Sequence, residues 1–330
     1  MKLDNIFTSR MVIAANKPIK IYGTGEGTAE VNFLGNSKKG DFTGGKWMLE
    51  LPAVDYGGPY TLEITLNGKK TVLEDVCVGD VYIFAGQSNM QFKMREGQVD
   101  FSDFGSNDML RLYSPDRVEK TEYYTSLDGW VTCDKNHICD WSALAYLCGT
   151  DLCKNAKGAV GIIVAYQGAS VIESWLPKGK LAEIGVCLTK EQQSETHHIE
   201  PFVNWNLDGF LYNAMITQIK PYNVSAFVWY QGESDTSFDE AAVYDKELTA
   251  FIEVMREDFC DENLPFVVIQ ITDYDFCRSG WPFLQEAQAK VAQTVPNVKL
   301  VISRDVCVSN DIHPGDKSIL AKRIVAALGK

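Results

Sequence analysis

An α/β protein with a parallel sheet, preceded by a small antiparallel β-sandwich, is the fold class that this 330-residue sequence predicts. Two observations predict it. Apolar and polar residues alternate with period two from about residue 17 to 76, and from 77 onward short apolar runs alternate with helical patterns. The first pattern belongs to half-buried strands and the second to βαβ units. The expected division is a sandwich-like segment over 1–76 and an α/β segment over 77–330.

The elements follow in chain order. Ala29, Val31 and Phe33 alternate with polar neighbours, as do Trp47, Leu49 and Leu51, and Tyr60-Thr61-Leu62-Glu63-Ile64-Thr65-Leu66 repeats the pattern before turning at Asn67-Gly68. Gly35-Asn36, Gly44-Gly45 and Gly57-Gly58-Pro59 punctuate these runs, and short strands at such spacing suggest a sandwich. Gly23, Gly25 and Gly27 resemble part of a dinucleotide fingerprint but open no helix, so they read as hairpin turns. In the second segment the strand candidates are 81–85, 160–165, 224–230, 266–271 and 298–302. Near-continuous apolar runs of this kind fit parallel strands covered on both faces. Helices are expected over 239–259, where Ala241, Tyr244, Leu248, Phe251, Ile252, Met255 and Phe259 recur at steps of three and four, and over about 205–219 and 316–328. The stretch 91–140 has little periodicity and reads as loops that shape a substrate site.

Composition narrows the function. The formal charge is −13, from 44 acidic and 31 basic residues, which argues against nucleic acid and anionic membranes as partners. No apolar run approaches the roughly 18–20 residues of a membrane-spanning helix. The start, Met1-Lys2-Leu3-Asp4-Asn5-Ile6-Phe7, lacks the apolar segment of a signal peptide, so the expected location is cytoplasmic unless a leader has been removed. Nine scattered cysteines without CxxC spacing read as reduced thiols rather than zinc or redox sites. His197-His198 suggests a metal only weakly, since adjacent residues seldom converge on one ion, and reads as surface loop. Neither a metal nor a cofactor is expected.

Four motifs follow the ends of the predicted parallel strands: Gly86-Gln87-Ser88-Asn89-Met90, Tyr166-Gln167-Gly168-Ala169-Ser170, Gln231-Gly232-Glu233 and Asp311-Ile312-His313-Pro314. All would gather at one carboxyl edge, where open α/β sheets bind ligands. A serine after a strand is usually a turn or cap residue. The late Asp-His segment changes that reading, because an early serine and a late histidine are what a serine hydrolase needs.

Together with Glu173-Ser174-Trp175 and Trp229-Tyr230-Gln231-Gly232-Glu233-Ser234, these motifs resemble the blocks of the SGNH-hydrolase superfamily, and more closely its sialate O-acetylesterase branch of carbohydrate acetylesterases. Phe7-Thr8-Ser9-Arg10-Met11-Val12 and Lys17-Pro18-Ile19-Lys20-Ile21-Tyr22-Gly23 are similar to the β-rich segment that precedes that branch's catalytic domain. The resemblance implies a flavodoxin-like three-layer fold and a serine esterase that removes O-acetyl groups from carbohydrates. It implies Ser88 as nucleophile and His313 as general base. The Ser88 and Gly168 backbone N–H groups would be oxyanion donors, with Gln231 where other superfamily members have asparagine. The superfamily places its acid three residues before the histidine, but position 310 is Asn. Asp311, Asp305 and a backbone carbonyl remain alternatives for the third partner, with Asp311 the choice taken. Glu233 and Trp175 are candidates to bound the pocket, with Trp175 alternatively a core residue and Glu233 a tie between loops. The sugar is left open between sialic acid, whose carboxylate would call for an arginine such as Arg95 or Arg111, and an acetylated plant polysaccharide. The competing readings are a carbohydrate-binding protein with an inactive hydrolase domain and a short-chain lipase or thioesterase.

Overall fold

The computed structural model describes residues 1–97, 104–116, 118, 129–306 and 308–330. Its strands are β1 Lys2–Leu3, β2 Val12–Ala14, β3 Ile19–Phe33, β4 Asn36–Leu51, β5 Gly57–Leu66 and β6 Lys69–Gly86. Then come β7 Asn107–Tyr113, β8 Val131–Cys133, β9 Val160–Tyr166, β10 Ala226–Tyr230, β11 Phe266–Ile269 and β12 Val298–Val301. The helices are α1 Ser88–Gln91, α2 Ala143–Cys153, α3 Lys180–Glu183, α4 Phe210–Ala214, α5 Phe238–Ala241, α6 Tyr244–Asp258, α7 Trp281–Thr294 and α8 Ser318–Ala327.

The period-two pattern places the inner faces where it should. Ala29, Val31 and Phe33 on β3, Trp47, Leu49 and Leu51 on β4, and Leu62 and Ile64 on β5 are all buried. These strands are antiparallel and joined by hydrogen bonds into one network, with β3 between β4 and β5 and β5 beside β6. Gly25 and Gly27 are not hairpin turns. They lie inside β3 at positive φ, where the register with β4 shifts between Thr24 and Glu26. A long strand bends at such a bulge, and glycine supplies the backbone freedom.

Strand β6 carries the chain from this antiparallel part into the parallel sheet, and residue 77 lies inside it. Its first part pairs with β5, and Asp80–Gly86 pairs in parallel with β9 on one side while Tyr82–Gly86 pairs with β10 on the other. The parallel order is β7-β9-β6-β10-β11-β12, with β8 antiparallel at the β7 edge. Omitting β7, the strands run 2-1-3-4-5 in chain order, so the order reverses beside β6, where a ligand crevice forms at the carboxyl ends. Every residue of β9, β10 and β11 is buried, as both faces must be when helices cover them. Helix α2 packs on α8 and α6 packs on α7. No helix among the described residues is long and apolar enough to cross a membrane.

Three local expectations change. Residues 107–113, expected as loop, form β7 and extend the sheet. The rest of the expected substrate-shaping loop falls partly outside the described residues. The helix expected over 205–219 is only α4 and a 3-10 turn at Ile216–Gln218, because Gly209 enters with left-handed φ and Met215 leaves helical geometry. Helices α2 and α7 lie between strands, as a βαβ pattern requires, in stretches where the sequence pattern marks no particular helix.

One backbone contact ends β6. Gly86 has φ of +145°, and a Cβ there would meet the Tyr230 carbonyl oxygen at 2.0 Å. A side chain can be accommodated neither by that torsion nor by that space. Gly86→Ala is expected to lower the unfolding free energy by about 2–4 kcal/mol, measured by chemical denaturation. An unchanged midpoint would show that the strand end can relax around a methyl group.

Candidate active site

The turn that Gly86 permits starts α1 immediately, so Ser88 sits at the first position of a short helix just beyond β6. The amide N–H groups of a helix's first turn have no intrahelical acceptor, which leaves the Ser88 N–H free of helical pairing. His313 arrives from the loop between β12 and α8. Its Nε2 lies 2.8 Å from Ser88 Oγ, a contact across 225 residues of chain. Both side chains are half-buried and line a cavity of about 540 Å³ at the sheet's carboxyl edge.

The neighbouring loop brings Gly168 against the serine. A Cβ on Gly168 would lie 3.8 Å from Ser88 Cβ, so the two backbones approach closely. The Gly168 N–H donates to Gln91 Oε1 at 2.8 Å, and Gln91, on α1, also lines the cavity. Ala169 holds a left-handed φ of 52°, a conformation that non-glycine residues adopt at a cost. Its carbonyl is held by Asn206 Nδ2 at 2.8 Å, and Asn206 Oδ1 accepts the Val171 N–H at 3.0 Å.

Neither candidate acid touches the His313 ring. Asp311 Oδ1 accepts the backbone N–H of His313 at 2.8 Å, which makes it a turn former. Asp305 pairs with Arg323 through both oxygens, at 2.6 and 2.8 Å, and this guanidinium pulls its pKa down to about 2. The two carboxylates are thus satisfied elsewhere. Gln231 is completely buried and absent from the cavity wall. Its Nε2 donates to the Ser170 carbonyl at 2.8 Å and to Asp235, and its Oε1 accepts from the Tyr244 hydroxyl at 2.8 Å. Both of its N–H donors are therefore spent on tying loops together, and it aims none at the serine. Trp175 is likewise a core residue and not a wall. It is fully buried, donates to Ser170 Oγ at 2.9 Å and packs edge-on against Trp229.

Glu233 does line the cavity, with Oε1 accepting from Asn89 Nδ2 at 2.6 Å. Burial raises its pKa, against the opposing pull of Asn89. The proposed arginines are elsewhere: Arg95 pairs with Asp140, and Arg111 is buried on Asp75 and the Arg10 carbonyl. Arg278, which the sequence reading overlooked, is the only permanently cationic side chain among the described residues lining the cavity. Phe202, Trp205, Tyr274, Phe276 and Trp281 supply an aromatic wall. None of these carries a motif, and they converge only because the loops before α4 and α7 fold over the same edge. His197 is not at the surface, being nearly buried with Nε2 3.0 Å from Glu240. No group of three His, Cys, Asp or Glu side chains among the described residues is arranged to hold a metal ion.

Comparison with known proteins identifies the family of the chain. The family model described as "carbohydrate esterase, sialic acid-specific acetylesterase" matches residues 78–323. The chain is 25% identical over 335 residues to the sialate O-acetylesterase of Rattus norvegicus, covering 84% of this chain and 62% of that protein. With the Homo sapiens sialate O-acetylesterase it shares 26% over 316 residues, covering 84% and 59%. The chain thus spans about three fifths of the length of these curated relatives. The crystal structure of XAC1771, a carbohydrate acetylesterase from Xanthomonas citri, superposes with a TM-score of 0.85 at 24% identity, covering 99% of this chain and 74% of that one.

Burial is the largest influence on His313 and lowers its pKa, Lys317 adds to the effect, and Asp311 and Glu96 oppose it. A lowered pKa keeps the imidazole neutral, and able to accept a proton, to a lower pH. Any reaction in which His313 serves as a base would then run above that pKa and be lost as pH falls through it. The acid limb of a kcat/KM profile is expected below the ordinary imidazole value of about 6.5. Asp305→Asn should leave that profile unchanged, and Asp311→Asn, which keeps an oxygen for the His313 N–H, should lose less than about tenfold in kcat, far short of the roughly 10⁴-fold that loss of a triad acid causes.

Proposed function

The chain belongs to the sialic acid-specific acetylesterase family of carbohydrate esterases, and from that premise we propose that it hydrolyses O-acetyl esters of carbohydrates through an acyl-enzyme on Ser88. The observation that carries the reading is the 2.8 Å contact between Ser88 Oγ and His313 Nε2 inside the cavity. In this reading the site is of the SGNH type. His313 takes the serine proton as Oγ attacks the acetyl carbonyl, then delivers it to the departing sugar oxygen. Water activated by the same imidazole releases acetate and restores the serine. The tetrahedral oxyanion would be met by the Ser88 N–H and by the Gly168 N–H, whose present acceptor, Gln91 Oε1, it would replace. Gln231 supports the loops and does not donate to the oxyanion.

The aromatic wall suits the flat apolar faces of a sugar ring. Arg278 favours a carboxylated sugar over a neutral one, because a guanidinium binds a carboxylate with two parallel hydrogen bonds. In a binding protein with an inactive hydrolase domain the serine–histidine contact would have no task.

Ser88→Ala is expected to reduce acetate release from p-nitrophenyl acetate and from an O-acetylated sialic acid by at least about 10³-fold, with the circular dichroism spectrum unchanged. Acetyl esters should be turned over faster than butyryl esters, and octanoyl esters hardly at all. Full activity of the Ser88→Ala protein would overturn the nucleophile, and rates rising with acyl length would favour a lipase.

A further inference from the structure

Lys317, four residues after His313 and just before α8, has no exposed surface. A buried ammonium costs several kcal/mol unless its surroundings compensate, and an apolar side chain of similar length would fill the space at lower cost. What it touches therefore explains its presence. Its Nζ donates to Asn89 Oδ1 at 2.6 Å and lies 5.1 Å from the Phe92 ring centre and 5.8 Å from that of Tyr230. Both rings are within reach of a cation–π attraction. Asn89 is itself completely buried on α1, next to Ser88. Its amide nitrogen donates to Glu233 Oε1 at 2.6 Å and to the Ile312 carbonyl at 2.9 Å. Ile312 directly precedes His313. One amide thus joins the nucleophile's helix to the peptide that carries the base, and the ammonium fixes which way that amide faces: oxygen toward Lys317, nitrogen toward Glu233 and Ile312.

We propose that Lys317 is a positioning residue for the Ser88–His313 pair, holding Asn89 so that the His313 turn stays docked on α1 and adding a buried positive charge to the surroundings of the imidazole. The proposal rests on the catalytic reading of that pair. The charged groups facing His313 are Lys317 from the start of α8, Asp311 from its own loop and Glu96 from the 3-10 turn after α1. Glu233 reaches the same network through Asn89, and Arg278 shares the cavity. Lys317 acts on His313 in the same direction as burial, and the two acids oppose it. With no carboxylate on the ring's second nitrogen among the described residues, the cation keeps the base neutral and the Asn89 link supplies the orientation that an acid would otherwise give.

Two substitutions separate these effects. Lys317→Met removes both charge and donor, whereas Lys317→Gln removes the charge and keeps a donor for Asn89 Oδ1. Histidine ring titrations by NMR read His313 without any need for turnover, and four histidines make assignment by His313→Ala direct. Both variants are expected to raise the His313 pKa by at least about half a unit, since a nearby like charge is removed. At pH values above that titration, p-nitrophenyl acetate turnover should fall about tenfold or more in Lys317→Met, from lost alignment, and stay within about threefold of wild type in Lys317→Gln. An unmoved His313 titration in both variants would overturn the electrostatic half. Equal turnover by Lys317→Met and wild type at high pH would overturn the positioning half. If Lys317→Met does not fold, Lys317→Gln decides by whether the titration moves while turnover holds. An inactive wild-type protein whose His313 still shifts in the variants would instead refute the esterase reading and keep the electrostatic coupling.

Discussion

The close approach of Gly86 to the Tyr230 carbonyl is the constraint on which the site depends. Strand β6 is the central strand of the parallel sheet and also the last strand of the antiparallel part, so its end is held by neighbours on both sides. Because Gly86 has no side chain, β6 can stay paired with β10 up to its last residue and then turn at once into α1. A longer connection would carry Ser88 away from the sheet edge and leave its position to a mobile loop. The abrupt turn instead sets Ser88 beside Gly168 with its hydroxyl on His313, and the proposed acyl transfer needs geometry fixed before substrate arrives.

The electrostatics around this pair are unlike those of a triad. A triad acid would stabilise the imidazolium and raise the histidine's affinity for a proton. Here burial and Lys317 push in the other direction, and Asp311 spends its oxygen on backbone. The arrangement favours the neutral imidazole and weakens it as a base. Orientation then comes from the backbone: the Asx turn at Asp311 and the Asn89 bond to Ile312 hold the loop from two ends. Glu233 and Lys317 meet on opposite ends of the Asn89 amide, which accepts from Lys317 and donates to Glu233.

Much of this could be read from the sequence wherever a local pattern carried the information. The strands at 81–85 and 160–165 and the helix around Tyr244–Phe259 were legible because burial there follows a strict period or an unbroken apolar run. Ser88 and His313 were legible because each follows a strand in a recognisable motif. The misses have physical causes. Helix α2 is apolar on nearly every side, so it shows no amphipathic contrast. Helix α7 buries Gln285 and Gln288 in its inner stripe, where their side-chain amides bond backbone groups of residues 269–272, and polar letters hide the face. Strand β7 carries a buried arginine, Arg111, which reads as surface until Asp75 is seen beside it. Asp311 was closest in sequence to the base, but proximity along the chain favours a bond to the backbone amide two residues on, which is what it makes. Arg278, Phe202 and Trp205 have no motif and meet only in three dimensions.

Gln231 and Trp175 show why a motif residue need not face the substrate. Three loops leave the sheet at the ends of β6, β9 and β10, and each must satisfy its own backbone groups without strand neighbours. They do so with one another's side chains. Gln87 from the first loop accepts from the Gly232 N–H at 3.1 Å, Gln231 from the third donates to the Ser170 carbonyl of the second, and Asp235 accepts the Ile172 N–H at 3.0 Å. Trp175 closes the set from below through Ser170 Oγ. A residue in such a lattice is as specific in its requirements as one that touches substrate, because a shorter or differently branched side chain leaves a buried donor or acceptor unpaired. The Gln231 amide that a pattern search assigns to the oxyanion is here a strut between loops, and in the proposed reaction the backbone N–H groups of Ser88 and Gly168, which leave no trace in the sequence except a glycine and a strand end, would receive the negative charge.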